Sequence, residues 1–148
     1  LYDKYTARGL KIAMMQQNYI DPGSLPLSAI DYLVPDRNKQ AMTRAMTMLG
    51  NLNFMADEMT QPLQSLSMGQ IAKVALLDLV MSDADLLFLD EPTRNLSPLS
   101  LDVVIRMFQA YPRTIFCISH DRFFIKAISD RILLMRTDGF SEVEAADL

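Results

Sequence analysis

The chain is expected to fold as an α/β domain, a mostly parallel sheet with a block of helices inserted into it. Apolar runs of strand length stand at Lys11–Met15, Leu86–Leu89 and Thr114–Ile118. Between the first and second, from Ser28 to about Asp83, the apolar period turns helical; between the second and third lies one amphipathic segment. Strand, helix, strand in that order implies a parallel pair joined by a right-handed crossover.

The composition permits such a core and excludes several alternatives. Half of the 148 residues are hydrophobic, which is enough for one globular domain. A net charge of -4 argues against binding nucleic acid by bulk attraction, leaving that to a local basic patch or a missing segment. Cys117 is the one cysteine, so no internal disulfide forms and a reducing compartment is expected. The longest apolar run, Val74 to Met81, is interrupted by Asp78 and falls well short of the roughly 20 residues that span a bilayer. A cytoplasmic location without a membrane segment is therefore expected. The chain opens on Leu1 rather than Met, so it is read as part of a longer product.

Each element has a local cause. Lys11–Met15 runs into Gln16-Gln17-Asn18 and the turn chemistry of Asp21-Pro22-Gly23, which places a polar amide pair just past a buried strand. Ser28 is placed to cap a brief helix through Leu33 that Pro35 ends. Met42, Ala45, Met46 and Leu49 recur at helical spacing, with Gly50 expected as the cap that closes that helix. A short helix is expected around Phe54 to Glu58. The segment Ile71 to Leu77 is apolar nearly all round and predicts a buried helix, whose N-terminus is Leu66-Ser67-Met68-Gly69-Gln70. Ser67 there is either a plain cap or, with the free N–H groups of the helix end, part of an anion site.

The central feature is Leu86-Leu87-Phe88-Leu89-Asp90-Glu91-Pro92: an apolar strand that ends in two carboxylates and a proline that cannot extend a ladder. Ligands of open α/β sheets sit at the carboxyl ends of the strands, so Asp90 and Glu91 are placed to act on a metal or phosphate. Ser97 and Pro98 begin a helix whose Leu101, Val104, Ile105 and Phe108 share a face. If Thr114–Ile118 is the parallel neighbour, Ser119-His120-Asp121 emerges at the same edge, and the only histidine of the chain lies beside the acidic pair. A short helix over Arg122 to Ile128, a strand over Arg131 to Met135, and a turn at Thr137-Asp138-Gly139 into a final edge segment complete the chain.

Taken together these residues resemble an ABC-type ATPase cassette, its C-terminal part, in the family's order. Gln17, or Gln16 in a register shifted by one, resembles the Q-loop glutamine. Leu66 to Gln70 resembles the LSGGQ signature, Leu86 to Glu91 the Walker B strand, Leu96-Ser97 the D-loop, and His120 the switch histidine. The fold implied is a partial P-loop NTPase-type parallel sheet core with an inserted helical subdomain: core with Q-loop over 1–25, helical subdomain over 26–84, core again over 85–148.

The resemblance implies ATP and Mg2+ as ligands. Asp90 and Gln17 would hold the metal, Glu91 would polarise the attacking water, and His120 would contact the γ-phosphate. Ser67, Gly69 and Gln70 would serve nucleotide held by an opposing cassette, so a second cassette is an expected partner. Phosphoryl transfer is mostly positioning and charge stabilisation, which suits these residue types. Met68 stands where the family has glycine, putting a positive φ there in question, and Ser97 replaces the D-loop aspartate.

The phosphate cradle G-x-x-x-x-G-K-[ST] is missing: no glycine here is followed by Lys and then Ser or Thr. The chain alone is therefore expected to be inactive, and its sheet to keep an uncovered edge and apolar surface that favour self-association. The run Ser119-His120-Asp121-Arg122-Phe123-Phe124 resembles the F subfamily, whose members are soluble, carry two cassettes and generally act on ribosomes. The alternatives are a nucleotide-binding subunit of a transporter and a degenerate cassette kept as a binding module.

Overall fold

The computed structural model describes residues 6–7, 9–15, 19–21 and 24–148. Four strands form one sheet in the order β1 (Thr6–Ala7), β2 (Leu10–Met14), β3 (Leu86–Asp90), β4 (Thr114–Ile118). The β1–β2 pair is antiparallel, whereas β2–β3 and β3–β4 are parallel, as the strand-helix-strand order requires. In register, Leu87 lies opposite Ile115 and Asp90 opposite Ile118. The two-residue β1 carries no apolar run and was not foreseen.

Between β2 and β3 the chain is helical: α1 (Ala29–Leu33), α2 (Lys39–Asn51), α3 (Ala56–Thr60) and α4 (Met68–Met81). Ser28 caps α1 by accepting the Asp31 N–H. Gly50, however, is not the cap of α2; it lies inside the helix. The left-handed residue that closes α2 is Asn53, with φ 63. Its N–H donates to the Gly50 carbonyl and the Phe54 N–H to the Leu49 carbonyl, a Schellman ending in which asparagine takes the position glycine usually holds. Helix α3 starts two residues later than expected, because the Glu58 carboxylate accepts the Met55 N–H and fixes Met55 as the cap.

Helix α4 is the buried helix its composition demanded. Val74, Leu76 and Leu77 are fully enclosed, with Ala72, Ala75, Leu79 and Val80 close to it. Asp78, one of the two charged residues of α4, meets the Tyr32 hydroxyl at 3.3 Å, which ties α4 to α1. Burial and then the Asp78 charge push the Tyr32 phenol well above its ordinary value. On the core side of the sheet Ala13, Leu87 and Leu89 are buried. Helices α5 (Pro98–Gln109) and α6 (Arg122–Ile128) pack together through Phe108 and Phe124, whose rings meet edge to face at 6.1 Å.

The opposite side of the sheet is left open. Phe88 and Phe116, cross-strand neighbours with rings 5.2 Å apart, lie in one row with Met14, and Phe116 and Ile118 are about half exposed. Parallel sheets are normally covered on both sides. The last two strands, β5 (Ile132–Arg136) and β6 (Gly139–Val143), form a separate antiparallel hairpin rather than an edge of the main sheet. Arg131 closes that hairpin with a two-bond fork onto Glu142. Among the described residues, no helix is long and apolar enough to cross a membrane.

Candidate functional site

Strand β3 carries Asp90 to the carboxyl edge of the sheet and ends there; Pro92, two residues on, is fully buried. Glu91 adopts a left-handed backbone, φ 48, and donates its N–H to the Ile118 carbonyl at 2.9 Å. A non-glycine residue held this way costs about 1–2 kcal/mol. The neighbouring strand end pins it in place through that bond.

The parallel register brings His120 to that carboxylate. Its Nε2 lies 3.6 Å from Glu91 Oε1, beyond hydrogen bonding and within ion-pair range when the imidazole is protonated. The His120 side chain is 98% exposed, so it is not a packed core histidine and is accessible from solvent. Ser119 donates its hydroxyl to Glu91 Oε2 at 3.5 Å. Glu91 Oε1, in contrast, is buried and has no hydrogen-bond partner. An orphaned buried acceptor is rare in a folded protein, and the described residues supply no hydrogen-bond partner for this one.

Cys117 lies beside the pair on β4. Burial, reinforced by the charges of Glu91 and Asp90, pushes its thiol from the ordinary 9.0 up to about 12. The thiol is therefore neutral at physiological pH and no nucleophile. Its alkylation by iodoacetamide at pH 8 is expected to be at least about a hundredfold slower in the folded chain than in urea. An unfolded thiol ionises from pH 9 upward while the folded one stays protonated, so the unfolded state binds fewer protons and stability falls as pH rises from 9 toward 12. Replacing Cys117 with Ala should flatten that fall, as read by urea melts at pH 8 and pH 10.

The signature stretch forms the N-terminus of α4. Ser67 caps it by accepting the Gln70 N–H, and Gln70 returns its carbonyl oxygen to the Ser67 N–H at 2.9 Å. The side-chain amide of Gln70 also donates to Glu58 at 2.6 Å. Gln70 is thus committed within the chain, whereas Ser67 keeps its own hydroxyl proton to donate. Met68 is the first helical residue and has no positive φ, so the missing glycine leaves no strain at this position. Gly69 lies close to the loop after the acidic pair: a Cβ there would stand 3.0 Å from the Asn95 carbonyl oxygen, which would have to give by a few tenths of an ångström. Ser97 stands at the N-cap position of α5 but makes no side-chain capping bond; its hydroxyl lies 2.9 Å from that of Ser100.

Asp90, Glu91 and His120 thus converge on one edge, with Ser119 and Cys117 beside them. Ser67, Gly69 and Gln70 stand at a separate helix end. Gln16 and Gln17 lie outside the described residues. Sequence reasoning missed Glu58, Tyr19 and Asn95, whose contacts join stretches far apart in the chain. A groove of about 990 Å3 between α2 and α5, lined by Arg44, Met48, Val80, Arg106, Met107 and Tyr111 among others, contains none of the candidate residues.

The sequence profile of the ABC transporter family matches residues 2–94, more than half of the chain. Among curated proteins, the chain is 30% identical over 127 residues to ABC transporter F family member 2 of Arabidopsis thaliana, covering 86% of this chain and 19% of that protein. It is 28% identical over 119 residues to the ribosome protection protein VmlR of Bacillus subtilis (strain 168), covering 80% of this chain and 22% of that one. The chain thus spans about a fifth of the length of these relatives. Among solved structures, the dimeric post-hydrolysis state of the ATP-binding cassette MJ0796 bound to ADP and Pi superposes with a TM-score of 0.66 at 18% identity, over 83% of this chain and 57% of that one. The chain therefore belongs to the ABC transporter family of ATPase cassettes and resembles its F-family members.

Proposed function

We propose that this chain supplies the water-orienting and metal-holding half of an ATP-hydrolysing site in a cytoplasmic F-type cassette protein. The observation that carries the proposal is the buried, unpartnered Oε1 of Glu91, 3.6 Å from an exposed imidazole and next to Asp90. Glu91 accepts a proton from, and orients, a water at its orphaned oxygen. His120 reaches the terminal phosphate from solvent, and Ser119 holds the second carboxylate oxygen so that the first stays directed at the water.

The fit of a metal can be tested on the residues. Among the described residues no group of three or more His, Cys, Asp or Glu could hold an ion. Mg2+ needs none: it retains most of its waters and binds through one or two carboxylates and the phosphates of its substrate. The exposed Asp90 carboxylate, with Gln17 as second ligand, suits an ion that arrives with ATP. When bound, such an ion neutralises phosphate charge. Ser67 donates its free hydroxyl proton to nucleotide held by a second cassette, at a helix end whose N–H groups favour phosphate.

The ribosome is the proposed target, since VmlR is named a ribosome protection protein and the DRFF sequence after His120 favours F-type over transporter members. Turnover tests the proposal. The full-length protein should hydrolyse ATP, and a full-length protein with no activity above that of a His120→Ala variant would reject it. The 148-residue chain alone lacks the Lys and backbone N–H groups of a phosphate loop, so calorimetry should detect no stoichiometric ATP complex at micromolar concentration. Saturable micromolar binding would show that the cradle is dispensable.

A further inference from the structure

Three stretches far apart in the sequence meet at Asn95. This residue sits in the loop after the acidic pair, shaped by consecutive turns in which Arg94 N–H donates to the Glu91 carbonyl at 3.2 Å and Leu96 N–H to the Thr93 carbonyl at 3.0 Å. Its Nδ2 donates to the Tyr19 hydroxyl at 2.5 Å across 76 positions. Its carbonyl oxygen faces Gly69, close enough that a Cβ there would meet it at 3.0 Å. Tyr19 is itself anchored: it packs on the hydrophobic core and holds a left-handed backbone, φ 55.

We propose that Asn95 is a positioning residue, a clasp that fixes the Ser67 end of α4 and the segment at Tyr19 to the loop carrying Glu91. A side chain that bonds one element while its own carbonyl seats against another transmits displacement between them. Moving Tyr19 drags the Asn95 amide, and the Asn95 carbonyl stands so near the first turn of α4 that a Cβ added at Gly69 would meet it at 3.0 Å. The first turn of α4, and with it the Ser67 hydroxyl, is thereby held in register with the loop that begins at Glu91. The purpose assigned to this clasp, aligning two halves of an ATPase site, rests on the function proposed for the chain; the clasp itself rests on contacts within the chain.

The test reads amide hydrogen exchange by NMR on the 148-residue chain at Gln70 and Ile71, whose N–H groups bond to the Ser67 hydroxyl and carbonyl. Asn95→Ala should speed both by about fivefold, the factor for one ordinary hydrogen bond. Tyr19→Phe, which removes one oxygen and keeps the ring, should do the same, and the double variant should go no further. Unchanged rates in both single variants, or effects that multiply in the double, overturn the clasp; if Asn95→Ala fails to fold, Tyr19→Phe decides alone. In the full-length protein, Asn95→Ala should lower kcat about fivefold at unchanged KM for ATP. A full-length protein without ATPase activity sinks the catalytic reading, while the exchange rates still decide the clasp.

Discussion

Replacing Glu91 with Gln in the full-length protein is expected to lower ATP turnover by roughly 10²–10⁴-fold while nucleotide binding survives. The substitution is nearly isosteric, so the left-handed backbone at this position, its N–H bond to Ile118 and the contact from Ser119 should all persist. What disappears is an acceptor basic enough to take a proton from water at the buried Oε1 position. The variant should therefore accumulate an ATP-bound closed state, seen as nucleotide retained through gel filtration. An unchanged rate would remove Glu91 from the mechanism. Wild-type turnover with no trapped nucleotide in the variant would leave the orphaned oxygen a packing feature.

Why the sequence pointed to Glu91 but missed Asn95 follows from the range of the forces involved. Strand β3 ends in charge and proline, and strand-helix-strand handedness places β4 beside it, so the approach of His120 to Glu91 is a consequence of local pattern plus topology. The same holds for Ser28 and Ser67, whose capping bonds close within three residues. Asn95 and Tyr19 are joined across 76 positions by one polar contact that leaves no periodic trace. Glu58 was invisible for a similar reason: its bond to Gln70 depends on how α3 lies against α4.

Local rules also misled where two of them compete. Glycine is the usual left-handed residue at a helix end, yet Gly50 continues α2 because Asn53, the next residue type most tolerant of positive φ, stands three positions on with apolar Phe54 after it. The missing phosphate cradle led to the expectation of uncovered apolar sheet surface, and Phe116 and Ile118 are indeed about half exposed, but the apolar run at Lys11–Met15 did not reveal which side of the sheet would stay open. That depends on what covers Phe116 and Ile118, and an alternating pattern cannot say which side has a partner.

The second large effect lies away from the carboxylates. Replacing Phe108 with Ala is expected to destabilise the chain by about 3–5 kcal/mol, the usual cost of deleting a fully enclosed aromatic ring. Phe108 is 2% exposed, and the Phe124 ring it meets is wholly enclosed. Against a total stability of about 5–15 kcal/mol for an ordinary domain, that loss takes about a fifth or more of the margin. Phe124 belongs to α6, which begins immediately after His120-Asp121 and is started by the Asp121 carboxylate accepting the Phe124 N–H at 3.0 Å. The ring pair thus anchors the helix that follows the histidine onto α5, the helix that follows the acidic pair. Phe108→Leu keeps most of the apolar area and should cost less than half as much, while Phe108→Ala and Phe124→Ala combined should cost less than their sum by about 0.5–1.5 kcal/mol, the worth of the edge-to-face contact. Urea denaturation of the four variants measures all of this. Strict additivity would mean that the two rings stabilise α5 and α6 separately, and that the placement of His120 depends on the β3–β4 register alone.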